Sequence, residues 1–214
     1  MSTPANPLSL AHWRRSMARL YADVRMGSAD PERTSDAFRA ARDRLFREHD
    51  DSPIPSVHRS RWRGASWFPY DARWRINGIV KPLANRSTFE LALASDGVTR
   101  FTRVANVDFA VRGVGYALAL YWLEGYGGGL WLPFGDLTNG TSTYGGGRYL
   151  YDTIKGADLG ASTTEFVLDF NFAYNPSCTY DERWSCPLPP AENKLPIEIA
   201  AGEQVMGGLE DLTG

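Results

Sequence analysis

The sequence predicts a mainly β protein, an antiparallel β-barrel or sandwich of about nine strands with two N-terminal helices packed on it. Three observations carry that expectation. Apolar residues recur at helical spacing only in the first fifty or so positions. Beyond them, short runs of alternating aromatic and β-branched residues follow one another between turn signals. No long helical segment separates those runs, so a doubly wound parallel sheet is not expected.

Leu10, Trp13, Met17, Leu20 and Val24 recur at spacings of three and four, which makes one apolar stripe on a helix over residues 8–26. Gly27 stops it. A second helix is expected from Ser35 to His49, with Phe38, Ala41 and Leu45 sharing a face and Phe46 beside them. Arg39, Arg42, Asp43 and Arg47 are then expected to face water. Residues 1–50 form a helical segment packed on a β-rich body, residues 51–214, and not an independent domain.

Strands are expected over Arg61–Phe68, Arg73–Val80, Phe89–Ala94, Val98–Val104, Val107–Val111, Tyr116–Trp122, Leu130–Phe134, Tyr149–Ile154, Phe166–Phe170 and Leu195–Ala200. Asp96-Gly97 is a hairpin signal. Trp62, Trp67 and Trp74 are expected to pack the helices onto the sheet. The polar, glycine-containing tail from Gly202 onward is expected to fray at its end.

Net charge is −2, with acids and bases nearly balanced, so composition offers no basic face for nucleic acid and no attraction to an anionic membrane. No apolar run approaches the roughly 18–20 residues that span a bilayer. The N-terminus lacks the apolar core and cleavage site of a signal peptide, and the expectation is a cytoplasmic protein. The only histidines are His12, His49 and His58, so a histidine-assisted nucleophile would have to recruit from the helical segment. Serine-hydrolase, zinc-protease, Walker and dinucleotide-binding motifs are all missing. Cys178 and Cys186 have seven residues between them, which is not zinc-knuckle spacing. No metal and no cofactor are expected on these grounds.

One stretch, Gly125 to Pro190, concentrates the remaining chemistry. Nine of the 21 glycines fall between Gly125 and Gly147. The triplet Gly145, Gly146 and Gly147 suits either close approach of backbone amides to a ligand or a tight strand corner. Arg148 follows directly, able to hold a carboxylate or phosphate, or to pair with Asp136 or Asp169. Asp169 and Asn171 alternate with Leu168, Phe170 and Phe172, so the two polar side chains share one face, lining a cavity or facing water. Asn175, Cys178 and Cys186 lie in a proline-dense, rigid loop. The two thiols suit packing, a redox couple or a nucleophile.

The run PFGDLTNGTSTYGGGRYL (Pro133–Leu150), then LDFNFAYNPSCTY (Leu168–Tyr180) and CPLPPAENKLPIEIAAGE (Cys186–Glu203), resemble the signatures of the DUF1684 family of uncharacterised bacterial and archaeal proteins. The upstream WFPYDARWRI (Trp67–Ile76) is also similar, and the resemblance spans about residues 40–205. It implies no activity, but it marks Asp136, Tyr144, Gly145, Gly146, Gly147, Arg148, Asp169, Asn171, Tyr174, Asn175, Pro176, Cys178, Cys186, Glu192 and Asn193. The family often carries an acid after the Arg-Tyr-Leu run and a base after the Asp-Phe-Asn run. This chain has Tyr151 and Phe172 there, which removes any charge-pair role at those positions.

The leading functional expectation is a small-molecule enzyme of hydrolase, lyase or isomerase type, acting on an anionic substrate in a barrel-end pocket. Arg148 would hold the substrate, Asp169 would act as acid or base, and Asn171 or Tyr144 would orient or donate. Gly145, Gly146, Gly147, Asp136, Asn175, Cys178 and Cys186 would bind substrate. A non-catalytic module for a small ligand or a protein partner is the alternative, and a flavin- or haem-binding small barrel the second alternative. A homodimer is compatible with either.

Overall fold

The computed structural model describes residues 6–27, 29–93 and 97–205. Helix α1 (Pro7–Met26) starts where the Asn6 side chain accepts the Ser9 N–H at 3.1 Å. Helix α2 (Pro31–Glu48) starts in the same way, with the Asp30 carboxylate accepting the Arg33 N–H at 3.2 Å. Proline at the first helical position loses no hydrogen bond there, so both caps are efficient. This is why α2 begins at Pro31 and not at Ser35. A short helix, α3 (Ser56–Arg59), follows.

The buried stripe of α2 runs through Ser35, Phe38, Arg42 and Phe46. Arg42 therefore does not face water. It lies four residues from both Phe38 and Phe46, on the same side of the helix, and is 1% exposed. Its guanidinium donates to Glu203 Oε2 at 3.0 Å and to the Tyr180 hydroxyl at 3.1 Å. The Tyr180 hydroxyl in turn donates to Glu203 Oε1.

The body is a curled, half-barrel antiparallel sheet. Its strands are β1 (Arg75–Leu93), β2 (Gly97–Val111), β3 (Val114–Leu123), β4 (Gly129–Phe134), β5 (Arg148–Asp152) and β6 (Glu165–Asp169). They lie in the order β5-β4-β3-β2-β1-β6. The described residues thus hold six strands, not nine. Two pairs of expected strands are single long ones, bent by register shifts between Pro82 and Ser87 and between Arg103 and Ala105. Two others form no ladder. Around residues 61–68 the chain is fixed by single contacts, such as Ala65 N–H to Asp43 Oδ1 at 3.0 Å. Over residues 195–200, Pro196 removes a donor and the chain crosses the sheet end with single backbone bonds to Gly135 and Leu137 and no ladder.

The Asp96-Gly97 signal lies partly outside the described residues, although β1 and β2 pair Leu93 with Gly97. A second hairpin is complete. Val111 pairs with Val114 around Arg112 (φ 50°) and Gly113 (φ 80°), a two-residue turn with both residues left-handed. The end of the C-terminal tail, residues 206–214, also lies outside the described residues, but its start does not behave as a tail, since Glu203 is fully buried.

Side chains alternate along β3. Leu118 and Leu120 join the main core with Met17, Tyr21 and Phe38 of the helices, while Ala119 and Tyr121 join a second cluster with Phe101 and Trp131 on the opposite face. Trp62 packs on Tyr180 and Trp67 on Phe38, at ring distances of 5.9 and 6.3 Å. Trp74 differs. It meets Phe170 at 6.1 Å, at the end of the sheet, and packs no helix ring. No helix among the described residues is long and apolar enough to cross a membrane.

Gly78 of β1 sits at a tight point of the core, against Val107 of β2 and Leu168 of β6. A Cβ there would collide with Val107 Cγ1 and lie 2.9 Å from Leu168 Cδ1. Gly78→Ala is expected to destabilise by about 1–3 kcal/mol through overpacking. Urea unfolding would show it as a lower midpoint with an unchanged m-value.

Candidate functional site

The polar residues that the sequence concentrates in one stretch separate in space into three groups. The first surrounds Arg148, whose side chain has no exposed surface. Its guanidinium donates to Asp136 Oδ2 at 2.8 Å, to the Ile199 carbonyl at 2.9 Å, and to the Ala201 and Glu203 carbonyls. Asp136 also accepts the N–H groups of Thr138 (2.8 Å) and Ile199 (3.3 Å). Arg148 thus grips the backbone of residues 199–203 and presents no face to an external anion. Asn175 serves the same segment. Its N–H donates to Glu203 Oε2 at 2.8 Å and its amide to the Gln204 carbonyl at 2.9 Å.

The glycine triplet is a packing device. Gly147 has φ 83°, and a Cβ there would lie 2.7 Å from the Phe134 carbonyl and 2.6 Å from Pro189 Cγ. Leu188 and the Tyr144 ring close over Gly146 in the same way. Gly145 has only the Gly140 backbone near it, at 3.8 Å or more.

The second group is Asp169 with Asn171. Strand β6 ends at Asp169 because its carboxylate accepts the Asn171 N–H at 3.2 Å, which starts a 3₁₀ turn over Phe170–Phe172. The strand alternation therefore stops, and Leu168, Asp169, Phe170, Asn171 and Phe172 are all buried. Asn171 donates to Asp169 Oδ1 at 2.9 Å. It also brackets Asp71, accepting its N–H and donating to its carbonyl, both at 2.9 Å. Arg75 reaches Asp169 Oδ2 at 3.3 Å.

The third group is Tyr144 with Cys178 and Cys186. The tyrosine hydroxyl lies 3.7 Å from Cys178 Sγ, and the Cys178 N–H donates to Cys186 Sγ at 3.3 Å. Both cysteines are half-buried free thiols.

Between the first two groups, at one end of the sheet, lies a groove of about 1020 Å³. Phe68, Tyr70, Trp74 and Tyr116 wall it, and Arg73 and Arg112 stand on its rim with Glu32 and Glu198. Asn171 fixes the wall at Asp71, and Arg148 with Asp136 fixes the chain next to Ile197 and Glu198. Arg73 is spent on Asp71, at 2.6 Å. Arg112 occupies the turn between β2 and β3 in a left-handed conformation that non-glycine residues rarely adopt. Burial pushes the Tyr70 hydroxyl up, and the hydrogen bond from Arg73 holds the Asp71 carboxyl down, so at neutral pH the first is neutral and the second ionised. Among the described residues no cluster of three or more His, Cys, Asp or Glu side chains is placed to hold a metal ion.

Residues 60–204 match the family model DUF1684, described as a protein of unknown function. The chain belongs to the DUF1684 family. A solved relative by fold and sequence is the uncharacterised protein from gene locus rrnAC0354 of Haloarcula marismortui, a solution NMR structure. It is 33% identical, with a TM-score of 0.60, over 84% of this chain and 96% of that one. No curated protein matches. For this DUF1684 member, then, function has to be argued from the groove and the groups around it.

Sequence reasoning missed the groove's own lining. Arg112-Gly113 between two alternating runs carries a two-residue hairpin signature that would have placed Arg112 at a sheet end. Tyr70 and Asp71 lie between two expected strands, within the run Trp67–Ile76, and neither is marked there as a site residue.

Two outcomes test this arrangement. Asp136→Ala strands a buried guanidinium and is expected to cost about 3–5 kcal/mol, measured by denaturant unfolding. Burial raises the Asp169 carboxyl above its ordinary range, against the hydrogen bonds from Asn171 and the charge of Arg75. A raised acid contributes stability in full below its unfolded pKa and loses it as pH rises through the folded one. The stability of Asp169→Asn relative to wild type is therefore expected to improve as pH rises above about 4, the ordinary range of an aspartate, and to level off once the folded carboxyl has ionised.

Proposed function

We propose that the protein is a non-catalytic binding module for a small amphipathic ligand, one with an apolar or aromatic body and an anionic group. The groove at the sheet end carries this reading. Its aromatic walls face outward, whereas Arg148, Asp169 and Asn171, the candidates for acid–base chemistry, point into the protein and hold its walls. Concave sites that combine aromatic walls with fixed polar groups are the ordinary form of a small-molecule site. Phe68, Tyr70, Trp74 and Tyr116 would cover the ligand body. Arg112 would meet the anion, since Arg73 is already bonded to Asp71. Glu32 and Glu198 stand exposed on the rim and oppose an anion weakly through solvent. The enzyme reading asks Asp169 to reach a substrate, and Asp169 is 0% exposed with its oxygens taken by Asn171 and Arg75.

The test uses the aromatic sulfonate 1-anilinonaphthalene-8-sulfonate as probe, followed by fluorescence. Arg112→Ala is expected to weaken binding about tenfold, about 1.4 kcal/mol. Trp74→Ala is expected to weaken it as well, and Glu198→Gln to tighten it a few-fold, roughly the worth of an exposed charge. Equal affinity in wild type, Arg112→Ala and Trp74→Ala would place the probe elsewhere and overturn the reading.

A further inference from the structure

Cys178 and Cys186 stand apart from the groove and play no part in it. Their loop is held as a rigid frame. The Tyr149 hydroxyl donates to the Pro187 carbonyl, Trp184 Nε1 to Pro53 O at 3.3 Å and Arg183 to Ser52 O at 3.2 Å. A 3₁₀ turn at Ser177–Thr179 then aims the Cys178 N–H at Cys186 Sγ. That contact sets the two cysteines side by side, and the Tyr144 hydroxyl lies 3.7 Å from Cys178 Sγ. Inert core cysteines sit fully buried in apolar surroundings. These are half-buried, with a backbone N–H on Cys186 Sγ and a tyrosine hydroxyl beside Cys178 Sγ.

Donors of that kind favour a thiolate. The hydrogen bond from Cys186, helped by the one from Tyr144, holds the Cys178 thiol down to about 6 against its burial, and the same contact pushes the Cys186 thiol well up. The pair therefore carries one negative charge and one proton at neutral pH. Beside it lies a cleft of about 220 Å³ against α1, lined by Ser177 and Cys186 together with Trp13, Arg14, Lys155 and Trp184. Asp51 also lines the cleft, and its carboxylate is engaged by the Ser9 hydroxyl.

We infer that Cys178 and Cys186 form a dithiol–disulfide redox site that exchanges with low-molecular-weight disulfides bound in the cleft beside α1. The Cys178 thiolate attacks one sulfur of the incoming disulfide. A protein–small-molecule disulfide forms and one small thiolate leaves, taking up the proton of Cys186. Cys186, now a thiolate, attacks Cys178 Sγ, closing the Cys178–Cys186 bond and expelling the second small thiolate, which takes a proton from water. Two electrons pass from the protein to the small disulfide, which is reduced to two thiols. Tyr144 is a positioning residue here, since its hydroxyl steadies the attacking sulfur.

The experiment treats the reduced full-length protein with oxidised glutathione, quenches with acid, and reads intact mass after alkylation of the remaining thiols. Wild type is expected to lose both thiols and carry no glutathione. Cys186→Ser is expected to hold a stable glutathione adduct at Cys178. Cys178→Ser is expected to react about tenfold more slowly or less, as an ordinary thiol does. In Tyr144→Phe the pH midpoint for alkylation of Cys178 is expected to rise, a change that loss of packing alone would not produce. Two results would overturn the inference. One is a wild-type protein that keeps both free thiols until it is denatured. The other is equal adduct formation by both single variants with no internal disulfide in wild type.

Discussion

Residues 193–204 cross the end of the sheet without a strand of their own, and the rest of the structure depends on how their backbone is satisfied. A buried chain with unpaired N–H and C=O groups is costly, so every such group needs a partner. One buried arginine supplies the essential carbonyl partners, and a second fixes the Glu203 side chain. Arg148 at the start of β5 takes the carbonyls of Ile199, Ala201 and Glu203. Arg42 of α2 takes the Glu203 carboxylate, which also receives the Asn175 N–H and the Tyr180 hydroxyl. Asn193 does the same at the near end, bonding Ala119 on both its N–H and carbonyl and Pro133 on its carbonyl. A few single backbone bonds complete the seam, among them Phe68 N–H to Gly202 O at 3.0 Å and Gln204 N–H to Ser66 O at 2.8 Å.

This seam ties the helices to the sheet by charge as well as by apolar contact. Arg42 approaches the core over the faces of Phe46 and Trp67, at 4.1 and 5.3 Å from the ring centres. Burying a charge is unfavourable unless it is paired and hydrogen-bonded, so the helix can dock in one register only, with Arg42 opposite Glu203. Arg148 and Asp136 impose the same restriction on the loop before β5. The groove follows from these constraints. One wall is the chain next to the Arg148 clamp, and the other is the Asp71 turn, clamped by Asn171. The thiol loop leaves the same seam at Asn175 and returns to it at Asn193, which makes its geometry a by-product of that anchoring.

The division of labour among polar residues is the main lesson for function. Arg148, Asp136, Asp169, Asn171, Asn175 and Asn193 carry the chemistry that a sequence reader associates with catalysis. In the folded chain all but Asp169 are occupied by backbone groups of another segment, Asp169 is held by Asn171 and Arg75, and their role is to place surfaces. The outward surfaces are made by ordinary residues: aromatic side chains, a turn arginine, and two cysteines in a proline-framed loop.

The sequence by itself determined the helix stripes, the β character after residue 60, most strand positions from β2 to β6, and the polar stretch that proved structurally central. Periodicity and turn chemistry are local, so they are written in neighbouring residues. Arg42 marks the boundary. Its charge leads to the expectation that it faces water, although its spacing from Phe38 and Phe46 sets it on their side of the helix; only the tertiary structure supplies Glu203, 161 positions further on, that makes burial acceptable. The merging of expected strands into long β1 and β2, the course of residues 193–204 outside any ladder and the separation of Arg148, Asp169 and the thiols into three groups were likewise decided in three dimensions. Each depends on which distant backbone group a buried side chain meets, and local spacing along the chain does not encode that partner.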